Sequence, residues 1–170
     1  MQFAGVSAAS GTGYCGKAHR ENIMYVAATK RLTHEGAKHM AAVAVKHAQT
    51  AGIAIAVAVA DSGGHLMVLE RMDGGRFHTV HSATTKAVCA ASNKRPTSAQ
   101  GAQAQLLDVV QAIGLALAAG PERWTALEGG FPVIVEGECI GGIGVSGGDW
   151  ETDAHIARAA VEAIGAAWSM

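Results

Sequence analysis

The sequence predicts an α+β fold around an antiparallel sheet. Apolar runs arrive in pairs, Ile53 to Ala60 with His65 to Arg71, and the two arms of Val133 to Gly148. Each pair is joined by a short polar or glycine-containing link, Asp61-Ser-Gly-Gly64 in the first and Glu136-Gly137 in the second. Links this short make hairpins and leave no room for a parallel crossover. Segments of helical periodicity lie between and outside the pairs, which completes the α+β pattern.

Taken in order, Thr33 caps a helix from about His34 to Thr50, with Ala37, Met40, Ala41, Ala44, Val45 and Ala48 on one side. Gly52 stands where its C-terminal cap belongs. Ile53 to Ala60 alternates large and small apolar residues, as a strand buried on both faces does. Asp61 to Gly64 turns the chain into the return strand, and Met72 to Arg76 is a loop. A second helix runs from about His78 to Ser92, with Val80, Ala83, Ala87, Val88 and Ala91 inward, and Pro96 prevents its continuation. The Gln- and Leu-rich stretch from Ala102 to Ala119 is a third helix, ending at Gly120-Pro121. After the glycine-rich hairpin, Asp149 caps a last helix with Trp150, Ala154, Ala157, Val161, Ile164 and Trp168 on one stripe. Residues 1–27, Gly/Ser/Ala-rich and without periodicity, read as a flexible arm, and residues 28–170 as one domain. Translation from Met24 instead of Met1 is consistent with that division.

Glycine is costly within a strand unless something approaches the backbone closely. In Ile140 to Gly148 that partner is either a ligand or a tightly packed helix. The run resembles a dinucleotide fingerprint only superficially, because no βαβ unit surrounds it.

Composition removes several functions. The chain has 170 residues, 49% of them hydrophobic but only 16% charged, and a net charge of −1. So few charges on a chain of this size point to surface buried in a homo-oligomer. The charge balance gives no case for nucleic acid or for an anionic membrane, and no run of 18 apolar residues spans a bilayer. Cys15, Cys89 and Cys139 make neither a zinc pattern nor a disulfide framework. That usage, with no secretory pattern at Met1, leads to an expectation of a cytoplasmic protein. No metal site is expected.

Ala58 to Leu66, Glu70-Arg-Met-Asp-Gly74, Lys86-Ala87, Pro96-Thr-Ser98, Gly129-Gly-Phe-Pro-Val133 and Ile140 to Gly148 together resemble the GlcG/HbpS family, in order and in spacing. The resemblance covers roughly Ala28 to Ile164. It implies a profilin-like three-layer α/β/α fold with a five-stranded antiparallel sheet, and dimers that assemble further, up to an octamer. It also implies haem, bound and in some relatives degraded, or a place in the catabolism of small carbon compounds. A helix histidine serves in a haem-binding relative, which makes His39 and His47 the candidate haem ligands. The chain departs from the family at Gly75 to His81 and between Ser98 and Glu128, both beside the expected ligand site.

Read for chemistry, His78 and His81 stand three apart at a helix start, with Lys86 following and Arg71, Asp73 and Arg76 in the loop before. These residues form either a polar pocket for a small carboxylate or a solvated loop. In the first case Arg71 or Arg76 holds the carboxylate and His78 or His81 moves a proton near neutral pH. Lys86, alone in an apolar helix, snorkels, pairs with Asp61 or Asp73, or serves as a base. Gly129, Gly130 and Ser146 complete the candidate substrate-binding set, and the glycines of Gly141 to Gly148 with Ser146 and the helix start at Asp149 offer backbone N–H groups to an anion. Two functions follow: a haem-binding protein, or a cofactor-free tautomerase, hydratase or deaminase acting on a small unsaturated acid.

Overall fold

In a computed structural model of the chain, which describes residues 25 and 27–170, eight elements follow in order. They are α1 (His34–Ala51), β1 (Ala56–Asp61), β2 (Leu66–Arg71), α2 (Thr79–Asn93), α3 (Val109–Ala119), β3 (Gly130–Val135), β4 (Glu138–Ser146) and α4 (Trp150–Glu162). The flexible arm expected over residues 1–27 lies almost entirely outside the described residues.

Local chemistry sets the ends of these elements. The Thr33 hydroxyl accepts the Gly36 N–H at 3.1 Å, and Gly52, at φ +69°, closes α1 through its own N–H to Ala48 and Gln49. Asp149 accepts the Thr152 N–H at 2.7 Å to start α4. Glu136 and Gly137 both have positive φ, as a two-residue hairpin joining β3 and β4 requires.

The strands form one antiparallel sheet in the order β2-β1-β4-β3. The sheet has four strands where the resemblance implied five. Gly165, at φ +71°, turns the chain after α4, and Ala167 exchanges two 2.8 Å hydrogen bonds with Ile134 at the outer edge of β3. That one-residue bridge stands in the place of a fifth strand. Pro132, which has no N–H to donate, is carried by this edge strand.

The two faces of the sheet differ in what they can bury. Val57, Val59, Val133, Ile143 and Val145 point into the larger core, shared with Ala37, Met40, Ala44 and Ala48 of α1 and with Ile156, Ala157, Ala160 and Val161 of α4. Ala56, Ala58 and Ala60 face the other way, against Ala83 and Ala87 of α2. The alternation of large and small residues in β1 therefore has a direct cause: one face takes a thick two-helix layer and the other a single close helix. Glycines make that closeness possible. A Cβ on Gly142 would lie 2.3 Å from the Ala87 carbonyl oxygen, and one on Gly144 would lie 2.1 Å from that of Ala83. Helix packing, rather than a ligand, explains the glycines in the middle of β4.

Two expectations are corrected. The third helix begins at Val109, seven residues later than Ala102, because Asp108 and Gln111 form a reciprocal capping box there. Before it the chain makes a tight loop in which Gln100 bridges Leu106. On α4, Trp150 is exposed instead of joining the inward stripe, and Trp168 lies beyond the helix, edge-on to Phe131 at 5.6 Å.

Candidate functional site

A cleft of about 670 Å³ opens where the β1–β2 turn, the outer face of α2 and the segment after α3 meet. The turn contributes Ser62 to His65. Thr84, Val88 and Ser92, at four-residue spacing, come from one face of α2, and Ala119, Glu122, Arg123 and Trp124 form the third wall. The Cys89 Sγ reaches toward the Thr125 carbonyl at 3.7 Å and accepts from Asn93 at 3.3 Å, which ties that wall to α2. Burial pushes the Cys89 thiol up, so it stays protonated and unreactive.

The chemistry of the cleft sits in the turn. One Asp61 carboxylate oxygen accepts the N–H of Gly63 at 2.8 Å and that of His65 at 2.9 Å. Both Asp61 oxygens stand 3.2 Å from His65 Nδ1. Gly63 makes room for this, since a Cβ there would lie 2.9 Å from the imidazole ring. A proton on Nδ1 satisfies Asp61 and leaves the Nε2 lone pair of an exposed ring free to bind a metal or take a proton. Partial burial alone would raise the Asp61 carboxyl, but the hydrogen bonds from His65 and Gly63 outweigh it and hold it below the usual range. A depressed carboxylate contributes stability above its unfolded value near pH ~3.9 and loses it as pH falls through the folded one. Urea midpoints between pH 2 and 6 should therefore fall on acidification more in the wild-type protein than in Asp61→Asn.

The residues singled out in the sequence lie elsewhere. Arg71, Asp73, Arg76, His78 and His81 gather at the opposite end of the β1–β2 hairpin, where Arg71 pairs with Ala56. His78 and His81 are exposed on the first turn of α2, with Phe77 edge-on to His78 at 5.7 Å. Arg71 donates to the carbonyl of Gly75 in its own loop, and Arg76 donates at 3.0 Å to that of Gly147 between β4 and α4, so both guanidinium groups are engaged with backbone. None of these residues lines the cleft, or the two smaller cavities that meet at Glu128.

Lys86 pairs with neither Asp61 nor Asp73. Its ammonium donates to Asp153 of α4 at 3.0 Å and to the Val145 carbonyl at 2.7 Å, and Lys86 and Asp153 are each only 4% exposed. The second Asp153 oxygen takes the Gly148 N–H at 2.9 Å. Gly129, at φ +102°, passes so close that a Cβ would lie 3.0 Å from the ammonium, and Gly130 exchanges hydrogen bonds with Thr97. Ser146 is buried beside them. These residues build a closed node joining α2, α4 and the end of the sheet. His39 is exposed on α1, and His47 packs edge-on to His155 at 5.9 Å; neither reaches the cleft. Among the described residues no group of three or more His, Cys, Asp or Glu is gathered as metal ligands, and no helix is long and apolar enough to cross a membrane.

Sequence reasoning treated Asp61 to Gly64 as a turn and His65 as the first residue of the return strand, and missed the pairing of their side chains. The available signal was an aspartate four residues before a histidine with two glycines between. Arg123 and Trp124 carried no such signal, because helix ends bring them to the cleft and no motif does.

Comparison with known proteins places this geometry. The chain is 35% identical over 115 residues to the protein GlcG of Escherichia coli K12, covering 68% of this chain and 81% of that one. The crystal structure of the Klebsiella pneumoniae protein ORFY matches with a TM-score of 0.73 at 30% identity, over 83% of this chain and 95% of that one. A crystal structure of PduOC in complex with haem matches with a TM-score of 0.71 at 27% identity, over 83% of this chain and all of that one. The model of the family described as haem-degrading protein HbpS-like matches residues 32–162, and the chain belongs to that family.

Proposed function

We propose that the cleft binds haem, with His65 as its protein ligand. The observation that carries this reading is the Asp61–His65 pair at the rim of a 670 Å³ cleft. The donor set fits the group. A hydrogen bond at Nδ1 would fix the imidazole and strengthen Nε2 as a ligand to the iron. Trp124, Val88 and Ala119 offer apolar surface to a flat macrocycle, and Arg123 offers a cation to its carboxylates. Bound haem supplies an iron centre for ligation and redox chemistry; the chain's own part is to hold it, orient it and limit water at one face. The haem complex of the PduOC relative and the description of the family model support the same ligand. Haem degradation would be an activity of this same site.

The Asp61–His65 hydrogen bond also favours a second reading, proton transfer on a small unsaturated acid. There His65 Nε2 would act as the base and Arg123 would hold the carboxylate. This keeps the chemistry expected of His78 and His81 but moves it to the cleft.

Haemin titrated into the wild-type protein should give a saturable Soret shift at one per subunit. Ser92→Trp places a bulky group in the cleft from an exposed position and should weaken binding at least tenfold. An unchanged titration in that variant would take haem out of this cleft.

A further inference from the structure

Helix α3 has no buried residue, although its eleven residues include no charge. At 100° per residue, Val109, Val110, Ile113 and Leu117 fall on one stripe about 100° wide, and they are 73%, 80%, 54% and 73% exposed. An eleven-residue helix in water is marginal without packing, and its capping box fixes only its start. Something must cover the stripe.

We infer that the cover is α3 of a second copy of this chain, packed antiparallel about a twofold axis near Ile113 and Gly114. The four side chains expose on the order of 500 Å², the upper range for the largest apolar patch on a monomer. Two copies would bury on the order of 1,000 Å², where specific interfaces begin. A helix with no charge pairs with itself at no like-charge cost, and antiparallel pairing sets the two helix dipoles against each other favourably. In this arrangement Val110 faces Leu117 of the other copy. The helix runs on into Glu122 to Trp124, so the pairing also steadies one wall of the cleft.

Sedimentation of the full chain tests this. The wild-type protein should be a dimer or a larger even assembly. Val110→Glu with Leu117→Glu should at least halve its mass while leaving the circular dichroism unchanged, because both positions are exposed in the single subunit. Val110→Glu with Leu117→Lys should keep the wild-type mass, since antiparallel pairing brings the opposite charges together. A monomeric wild-type protein would overturn the inference, and so would a Glu/Glu variant of unchanged mass. A Glu/Lys variant that dissociates like the Glu/Glu one would overturn the antiparallel arrangement.

Discussion

Lys86→Met should lower unfolding stability by about 3–5 kcal/mol, the usual cost of removing one partner from a buried ion pair. The loss comes from what is left behind. Asp153 would keep a carboxylate in a site that is almost closed to water, with only the Gly148 N–H to satisfy it, and the Val145 carbonyl would lose its donor. Asp153→Leu should cost a similar amount by stranding the ammonium. Combining Lys86→Met with Asp153→Leu should cost clearly less than the sum, because the double variant strands neither charge. Urea unfolding of the four proteins gives this coupling directly. Additive losses would mean that the two groups act independently. If Lys86 served chemistry in the cleft, its loss would also change haemin binding in the folded fraction, and no such change is expected.

Gly144→Val should cost about 3 kcal/mol or more, beyond the usual range for an overpacked site. The added carbon would meet backbone, at 2.1 Å from the Ala83 carbonyl oxygen and 2.6 Å from the Ala87 nitrogen, and backbone cannot rotate away as a side chain does. Helix α2 would have to lift off the sheet, breaking the Lys86 contacts with it. Gly114→Ala is the comparison, since its Cβ would meet nothing within the subunit. Thermal unfolding should show a large drop for the first. A small change for Gly144→Val would mean that α2 does not rest on the glycines of β4.

These two predictions rest on features that the sequence displayed without explaining. The Ala/Val alternation of β1 announced a strand buried on both faces, and the glycines of β4 announced a close approach. Periodicity and caps were enough to place α1, α2 and the start of α4 within a residue or two, because Thr33, Gly52 and Asp149 act on neighbours only a few positions away. The start of α3 was misread because its apolar composition continues back through Leu106, while a hydrogen-bonded pair, Asp108 with Gln111, decides where the helix begins.

The site was less legible, since it depends on contacts distant in sequence. Lys86 meets Asp153 across 67 positions, and no local pattern announces that pairing. His78 and His81 have the spacing of a functional pair, yet the start of α2 leaves both in solvent. His65 works with a residue only four positions away, but its setting becomes a cleft only when α2 and the Arg123–Trp124 wall are brought in.

The most direct test of His65 as the haem ligand is a haemin titration of His65→Ala beside the His39→Ala/His47→Ala double variant, followed through the Soret band. With His65 as the ligand, the His65→Ala spectrum should shift away from that of an imidazole complex and its affinity should fall at least tenfold, while the double variant titrates like the wild-type protein. Loss of the band in the double variant, with His65→Ala unchanged, would contradict the account and place the ligand on α1.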